Sequence, residues 1–495
     1  MKDETSLALL TDLYQLTMAY GYWKLGHDQR AAVFHLFFRR APFAGGYAVV
    51  GGLGPAIEFL QRFRFDETDL AYLATLRGND GGPLFDDGFL RYLQDLHLSV
   101  DVDAMPEGTV AYAQEPLLRI SGPILQCQIL ETALLNVINF QTLIATKAAR
   151  ICGAAGGQPV LEFGLRRAQG MDGGLAASRA AYLGGCAATS NVLAGKRYGI
   201  PVKGTHAHSW VMSFDDELAA FAGYAQAMPN NCVFLVDTYD TLEGVAKAIT
   251  IGKRLRELGH EMVGIRLDSG DLAYLSIEAR KLLDAHGFPQ AAIVASNDLD
   301  EQIIESLKSQ GAQISVWGVG TKLATAYDQP ALGGVYKLGA LKNDQGEWLP
   351  KLKLSEQAIK TSIPGTLQVK RFQDEGSFVG DMIYDELRGI ASPQTIVDIK
   401  DNNRRKLIPA RAIGRDLLVP VMRNGQLVGR YADGSETLAV ARERAQGELA
   451  QLHSSVRRLL NPHEYPVGMD LGLHRRREQL IQALRWEGNI PSESQ

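Results

Sequence analysis

The chain has 495 residues, of which 46% are hydrophobic and 22% are charged, and its formal net charge is −5. These values are typical of folded globular domains and exclude wholesale disorder, and the negative charge excludes a general basic surface for nucleic acid. The four cysteines are far apart and form no CxxC pair, which argues against a disulfide framework or a zinc knuckle. We expect a cytoplasmic protein without a membrane span, since acids begin the chain and Glu131 and Lys147 interrupt its most apolar segment.

The predicted elements begin with a helix over residues 6–25, where leucines recur at helical spacing. The apolar run 31–38 predicts a strand, and a second helix is expected near 54–63. Short β segments fit residues 100–122, and a long helix is expected over 126–150. We interpret residues 1–125 as an N-terminal α/β domain.

Eight short apolar runs then alternate with polar loops and helical stretches. They begin near residues 160, 187, 200, 232, 262, 292, 314 and 334. This alternation is typical of a parallel sheet, and eight runs favour a closed (β/α) barrel, which we place at residues 126–344. The runs near 187 and 200 are too close for a regular unit, so an open doubly wound sheet is the alternative.

The pattern changes after residue 345. One hairpin is expected around Asp374-Glu375-Gly376 and another at Asn424-Gly425, a strong turn dipeptide. Residues 436–460 predict a helix. We interpret residues 345–495 as an α+β C-terminal domain, whose role the sequence leaves open.

The loops that follow the apolar runs are candidates for a site, because ligands of β/α sheets bind beyond the carboxyl ends of the strands. Arginines and glycine-rich turns suit phosphate or carboxylate, and aspartates suit sugar hydroxyls or hydrated magnesium. The implied ligand is an anionic phosphosugar with a metal. The candidate loops are 164–170, 204–209, 266–271, 296–298 and 318–322.

Each loop also has a purely structural interpretation. The residues would then be helix caps (Asp268, Asp271, Asp298), a solvated pair (Arg166, Arg167), surface charge (Lys322) or an ordinary strand–helix turn (318–321). Metal ligation by His206 and His208 would need a third partner that the sequence does not identify. The P-loop, GxGxxG, HExxH and GxSxG motifs are absent, and the run 233–238 is interpreted as a structural strand.

Several separated motifs resemble the nicotinate phosphoribosyltransferase family, which belongs to the type II phosphoribosyltransferases. Their common order along nearly the whole chain is more specific than any single motif. The motifs are LLTDLYQLTMAYGYW (9–23), FHLFFRRAPFAGGYAVVGGL (34–53), EFGLRRAQG (162–170), GTHAHSW (204–210), GIRLDSGDLAYLS (264–276), WGVGTKLATAYDQPALGGVYKL (317–338), KLSEQAIKTSIPG (353–365) and NPHEYPVGM (461–469).

The resemblance implies a reaction and an architecture. Nicotinate and phosphoribosyl pyrophosphate would give nicotinate mononucleotide and pyrophosphate, the entry step of NAD salvage, coupled to ATP hydrolysis and dependent on Mg²⁺. The implied fold is an irregular α/β barrel with an N-terminal α/β domain and a C-terminal extension. The implied assembly is a homodimer in which the N-terminal domain of one subunit covers the barrel of the other.

The resemblance also assigns roles by motif position. Nicotinate would contact Tyr14, Thr205 and Arg266, and Asp268 would hold ribose hydroxyls or magnesium. The 5′-phosphate would be bound by Asn297, Gly318, Gly320 and Thr321, with Arg166 on the pyrophosphate side. Because the ring nitrogen of nicotinate has a free lone pair, displacement of pyrophosphate needs no strong general base.

ATP phosphorylates a histidine of the GT-x-AHS loop in the family, and His208 matches that position. The variable position is His206 here, so two histidines compete for the assignment. The related nicotinamide-using enzyme has an acid in this loop, and none lies between 204 and 209, which favours an acid substrate. Transfer to nicotinamide or quinolinate, and a non-catalytic nucleotide or phosphosugar sensor, are the alternatives.

Overall fold

The computed structural model describes residues 6–357 and 360–487. The chain forms two units. The two-segment unit consists of the residues up to 142 together with those from 331 onward, and the inserted unit is 143–330. The predicted domain limits of 1–125, 126–344 and 345–495 stay a prediction.

The strands are named in chain order. They are β1 (Ala31–Phe38), β2 (Ala48–Val49), β3 (Asp101–Ala104), β4 (Val110–Ala111), β5 (Leu118–Pro123), β6 (Val160–Glu162), β7 (Ala188–Thr189), β8 (Val233–Leu235), β9 (Gly264–Leu267), β10 (Ala292–Ala295), β11 (Val316–Val319), β12 (Gly334–Lys342), β13 (Trp348–Pro350), β14 (Leu367–Asp374), β15 (Ser377–Asp385), β16 (Thr395–Asp398), β17 (Arg405–Leu407), β18 (Ile413–Asp416), β19 (Val419–Arg423), β20 (Gln426–Leu427) and β21 (Val467–Asp470).

The helices follow the same convention. They are α1 (Leu13–Lys24), α2 (Leu53–Arg62), α3 (Glu67–Thr75), α4 (Asp87–Gln94), α5 (Ile124–Ile129), α6 (Glu131–Ala155), α7 (Met171–Leu183), α8 (Val192–Tyr198), α9 (His208–Met212), α10 (Glu217–Ala227), α11 (Thr241–Glu257), α12 (Leu272–Ala285), α13 (Glu301–Ser309), α14 (Thr321–Ala324), α15 (Gly429–Ala432), α16 (Leu438–Gln451) and α17 (Leu471–Glu487). Not one of these described helices has the length and apolar character needed to cross a lipid bilayer.

The two-segment unit contains two large sheets. The first is antiparallel, of order β13-β12-β1-β5-β3-β19-β20, and the second has the order β17-β16-β21-β15-β14-β18. Strand β1 pairs with both β5 and β12, and seven of its eight residues are buried, which is why its sequence is a continuous apolar run. Both predicted hairpins are confirmed, with left-handed turn residues at Glu375-Gly376 and Asn424-Gly425.

The inserted unit contains a parallel six-stranded sheet of order β7-β6-β11-β10-β9-β8. The run near 200 contributes only a single bridge, between Val202 and Thr189. The run near 334 forms β12, which pairs with β1 and β13 in the other unit. The expected set of eight strands is therefore wrong in these two places. Because the described sheet is open between β7 and β8, a closed barrel is not confirmed.

Aspartate caps separate the strand-end loops from the helices that follow them. Asp240, Asp271 and Asp300 accept hydrogen bonds from backbone N–H groups in the first turns of α11, α12 and α13, at 2.9, 3.0 and 2.8 Å. The structural interpretation of Asp271 as a cap is thus confirmed, whereas the cap of α13 is Asp300 and not Asp298. The residues between each strand and its cap form the loops at this edge of the sheet.

Candidate functional site

A cavity of about 170 Å³ lies where the carboxyl ends of four neighbouring strands meet, namely β6, β11, β10 and β9. Parallel strands end on one edge of the sheet, so loops far apart in the sequence converge there. The cavity brings together seven predicted residues: Arg166, Arg266, Asp268, Asn297, Gly318, Gly320 and Thr321. It is completed by Phe163, Arg167, Ser296 and Asp298.

Arg266, on β9, is the most highly connected side chain of the cavity. Its Nε donates to Ser296 Oγ at 2.8 Å, Nη1 to Thr205 Oγ1 at 3.1 Å and Nη2 to Asp268 Oδ1 at 2.8 Å. The guanidinium centre also lies 5.6 Å from the centroid of the Phe163 ring. A guanidinium has five N–H donors, so two remain for a ligand. The predicted residue Thr205 is thereby connected to the cavity through Arg266.

Asp268 is held as a carboxylate. Burial alone would raise its pKa, but a hydrogen bond from Ser296 and the charge of Arg266 lower the pKa of Asp268 below its usual value. Its backbone N–H donates to Asp237 Oδ2 at 2.7 Å, and Ser269 Oγ donates to the same oxygen at 2.8 Å. Asp237 Oδ1 is buried and has no hydrogen-bond partner among the residues that the structure describes. The Asp237 carboxylate after β8 therefore supports the backbone of Asp268 after β9.

His208 begins α9 and lies near the Asp268 carboxylate. Its Nδ1 lies 3.1 Å from Thr238 Oγ1, and its Nε2 lies 3.8 Å from Asp268 Oδ2. The side chain of His208 is 39% exposed, so its ring is open to a second reactant. If Nδ1 carries the proton and donates it to Thr238, Nε2 retains a free lone pair.

His206 has a different environment. It is 7% exposed, and its Nε2 accepts a hydrogen bond from the backbone N–H of Leu235 on β8 at 3.2 Å. Its ring packs against Tyr224 and Phe221, with centroids 4.9 and 6.1 Å away. Burial lowers the pKa of His206, which favours the neutral ring. His206 thus attaches the loop that precedes α9 to the edge strand β8.

A buried carboxylate organises the loop that follows β6. Glu162, which is 1% exposed, accepts hydrogen bonds from Ser178 Oγ at 2.8 Å, from Thr189 Oγ1 at 2.6 Å and from the backbone N–H of Gly164. This fixes the backbone on both sides of Phe163. The exposed side chains of Arg166 and Arg167 follow, and within the described residues neither forms an ion pair.

The loops after β10 and β11 supply the opposite wall. Asn297 and Asp298 both have left-handed backbone conformations, with φ of 96° and 34°, which is costly for residues with a Cβ. Gly318 approaches Phe163 so closely that a Cβ at this position would lie 2.9 Å from the ring. A side chain at position 318 would therefore displace the Phe163 ring that lines the cavity.

Tyr14 belongs to the two-segment unit, on α1, and is 49% exposed. Burial of its hydroxyl and the nearby charge of Glu131 raise the pKa of Tyr14 above its usual value, so the phenol stays protonated. Its predicted contact with nicotinate stays a prediction.

Sequence reasoning missed Phe163 and Asp237 as residues of the site, and it gave no role to Ser296, which belongs to the candidate loop 296–298. Phe163 precedes the Gly164 turn and lines the cavity, and its position directly after a strand could have identified it. Ser296 contacts both Arg266 and Asp268. The run 233–238 does contain the expected strand, β8, but Asp237 just after it also supports the Asp268 backbone.

Family models for nicotinate phosphoribosyltransferase match most of the chain. The N-terminal domain model matches residues 9–139, the family model residues 159–363 and the C-terminal domain model residues 368–477. A nicotinate phosphoribosyltransferase of Bacillus subtilis (strain 168) is 44% identical over 487 residues, covering 94% of each chain. One of Homo sapiens is 37% identical over 516 residues, covering 93% of this chain and 94% of the relative.

Solved structures agree with these matches. The crystal structure of human nicotinic acid phosphoribosyltransferase superposes with a TM-score of 0.82 at 34% identity, covering 95% of this chain and 99% of that chain. A nicotinate-nucleotide pyrophosphorylase from Pyrococcus furiosus gives a TM-score of 0.67 at 21% identity, covering 91% of this chain and 97% of that chain. The second likeness concerns the fold alone.

Proposed function

The chain belongs to the nicotinate phosphoribosyltransferase family, and we propose that it converts nicotinate and phosphoribosyl pyrophosphate to nicotinate mononucleotide and pyrophosphate. This reaction is the first step of NAD salvage from nicotinate. The observation that carries the proposal is the cavity that combines Arg266, Asp268 and the strained loop at Asn297.

Arg266 is the proposed partner of the nicotinate carboxylate. Its two remaining N–H donors permit a charge-assisted contact, and its other three donors fix the orientation of the guanidinium. The nearby ring of Phe163 offers an aromatic face for the pyridine. Both groups lie at the same cavity, so a planar aromatic acid fits their chemistry.

Phosphoribosyl pyrophosphate would occupy the remainder of the cavity. We assign its 5′-phosphate to Asn297, Gly318, Gly320 and Thr321, where backbone N–H groups and a hydroxyl are available. Arg166 and its neighbour Arg167 have no acidic partner among the described residues, and they are suited to the leaving pyrophosphate.

Magnesium fits the donor set of this cavity. Asp268 and Asp298 line the cavity, and within the described part of the chain the buried Asp237 Oδ1 has no hydrogen-bond partner. Mg²⁺ is usually held by one or two carboxylates together with substrate phosphates. Asp268 is the first candidate, and the ion would supply charge neutralisation for the diphosphate.

The side chains of this protein would contribute to the reaction by orienting the two substrates. The nitrogen of the pyridine ring would attack the anomeric carbon with its own lone pair, while the bond from that carbon to pyrophosphate breaks. No proton has to be removed from the nucleophile. Rates of such displacements depend on in-line alignment and on preorganised charge. Arg266 and Phe163 would orient the nucleophile, Asp268 the ribose hydroxyls, and Arg166 the leaving group.

We further propose ATP as a co-substrate, with His208 as the phosphorylated residue. A lone pair of the ring would attack the γ-phosphorus, ADP would leave, and water would later release phosphate from the histidine. The partly exposed side chain of His208 supports this assignment, whereas His206 is buried and its Nε2 accepts a hydrogen bond from the Leu235 N–H. The competing assignment to His206 would require that hydrogen bond to break.

Three further properties belong to the proposal. The cyclic order of the parallel strands, in which the last strand β11 pairs with the first strand β6, favours an irregular barrel of the type II kind with its seam between β7 and β8.

Exposed apolar side chains on or beside α1, at Leu10, Leu13, Tyr14 and Met18, favour a homodimer. A cytoplasmic location is proposed from the sequence alone.

The test is pyrophosphate release with nicotinate, nicotinamide or quinolinate as the acceptor, each with and without ATP. We expect release with nicotinate, stimulated by ATP. Preference for either other base would contradict the substrate assignment, and binding without release would favour a sensor.

Asp268→Asn and Asp271→Asn form a matched pair for this assay. They lie three residues apart, but Asp268 lines the cavity, whereas Asp271 only caps α12, a role that asparagine fills equally well. Only the Asp268 variant should lose turnover.

A further inference from the structure

The turn at Asn297 and Asp298 is strained and exposed, so something must hold it in place. Two consecutive non-glycine residues there have positive φ, at a cost of about 1–3 kcal/mol each. Such conformations persist when the surrounding structure over-determines them. Two residues shortly after the turn, Asp300 and Glu301, form three ion pairs with other elements of the unit.

Asp300 makes the first contact. It is 6% exposed, caps α13 through the Ile303 N–H, and uses its second carboxylate oxygen to accept from Lys322 Nζ at 2.6 Å. Pairing with Asp300 outweighs burial and raises the pKa of Lys322, so the lysine stays charged.

Lys322 connects this acid to the neighbouring loop. It follows Thr321, and both are the first residues of α14, directly after Gly320. Strands β10 and β11 are hydrogen-bonded neighbours, so the ion pair spans the two adjacent loops that bound the cavity. Lys322 itself does not line the cavity.

Glu301 anchors the other side of the turn. It is 2% exposed and pairs with Lys147 at 2.7 Å and with Arg150 at 2.8 Å, both on α6. The segment after Asp298 is therefore fixed to α6 through Glu301 and to α14 through Asp300. Only the second link joins it to another loop of the site.

We propose that Asp300 and Lys322 are positioning residues that hold the loops after β10 and β11 at the separation needed to bind one phosphate group between them. This inference rests on the proposed function for the identity of the phosphate. It assigns a role to Lys322, which sequence reasoning interpreted as surface charge. It also gives Asp300 a second role beside the N-cap of α13, namely the ion pair that connects the two loops.

Whether the loss of the Asp300 charge strengthens or weakens phosphate binding distinguishes a direct electrostatic effect from a positioning role. If charge near the phosphate were decisive, removing the negative Asp300 would strengthen anion binding and free Lys322 to contact the anion. If the pair positions the loops, removing either partner weakens binding. Asp300→Asn is a suitable variant, because asparagine keeps the N-cap of α13.

The experiment measures ribose 5-phosphate affinity by calorimetry for Asp300→Asn, Lys322→Met and the double variant. Each single variant should weaken binding by about 10- to 100-fold, as small displacements of binding groups do. The double variant should bind as weakly as a single one, because both remove the same contact. Lys322→Arg should restore part of the affinity, and the KM for nicotinate should change little in every variant.

Lys247→Met is the matched control. Lys247 pairs with the buried Glu217 at 3.1 Å in the same unit, with side-chain exposures of 35% and 1% compared with 22% and 8% for Lys322 and Asp300. Its loss should lower thermal stability without weakening ribose 5-phosphate binding. Weaker binding in this control as well would mean that general destabilisation explains the result.

Hydrogen exchange of the peptide 296–301 provides a readout without ligand. Faster exchange in Asp300→Asn and Lys322→Met, but not in Lys247→Met, is expected if the pair holds the turn. Unchanged exchange, or tighter binding by Asp300→Asn, would overturn the inference. If the wild-type protein failed to bind ribose 5-phosphate, the phosphate assignment of the proposed function would be wrong, and exchange would still decide the role of the pair.

Discussion

Arg266 donates a 2.8 Å hydrogen bond to Asp268, a residue two positions away on the same chain segment, although sequence reasoning assigned the two side chains to different substrates. Ser296 contacts both of them, so the three side chains form one network. The nicotinate and ribose sides of the cavity are therefore coupled, and a change in one residue should be detected at the other.

Arg266→Ala should raise the KM for nicotinate by about 10- to 150-fold, because a hydrogen bond to a charged group contributes about 1.5–3 kcal/mol. Steady-state kinetics with each substrate varied in turn measures this effect. A smaller rise is also expected for phosphoribosyl pyrophosphate, since Asp268 loses the Arg266 hydrogen bond and keeps the Ser296 hydrogen bond. An unchanged nicotinate KM would remove Arg266 from the acceptor site.

Ser296→Ala should shift the acid limb of the kcat/KM profile to higher pH. The hydrogen bond from Ser296 lowers the pKa of Asp268, so the carboxylate is present above that pKa and is lost as pH falls through it. Without the hydroxyl, protonation occurs at a higher pH. Ser269→Ala is the control, because its hydroxyl donates to Asp237 and not to Asp268. A limb that stays in place in the Ser296 variant would mean that another group titrates.

His208→Ala should abolish ATP hydrolysis and ATP stimulation while slow phosphoribosyl transfer persists, because the cavity residues remain. Incubation with γ-labelled ATP, followed by peptide mapping and a test of acid lability, identifies the phosphorylated residue. His206→Ala should retain the label but lose about 1–3 kcal/mol of stability, since the Leu235 N–H is left without a partner. Label retained in the His208 variant and absent from the His206 variant would reverse the assignment.

Gly318→Ala should displace the Phe163 ring, because the added Cβ would lie 2.9 Å from it. Overpacking of this kind lowers the free energy of unfolding by about 1–3 kcal/mol. Because the displaced Phe163 ring no longer orients the acceptor, the nicotinate KM should also rise, by roughly 10-fold. Gly173→Ala on α7 is the control, since a Cβ there meets nothing within 4 Å. A wild-type KM in the Gly318 variant would show that Phe163 does not contact the acceptor.

The sequence predicted those features that depend on local pattern. Strand β1 matches the apolar run 31–38, and the hairpin at Asn424-Gly425 follows from turn chemistry. The candidate loops converge on one cavity because the strands that precede them run parallel to one another in the same sheet. The alternation of strands and helices in the sequence already indicated a parallel sheet.

Long-range pairing could not be predicted in the same way. The run near 334 is as apolar as a barrel strand, yet it pairs with β1, because apolar content does not specify the partner of a strand. Likewise Asp298 and Asp300 are equally good helix caps by sequence, and only the backbone conformation decides between them. The buried state of His206 depends on Tyr224 and Leu235, which are distant in the sequence.

The pairing of β1 with β12 also bears on the order of biosynthesis. β1 has one neighbour in β5, which is made soon after it, but its other neighbour lies beyond the whole inserted unit. At about 5–20 residues per second, ribosomes need tens of seconds to reach residue 334. During that interval one edge of a strongly apolar strand has no native partner, whereas the inserted unit has all of its strands before β12 emerges. The nascent chain should therefore depend on chaperones until β12 is translated, with the inserted unit folding first.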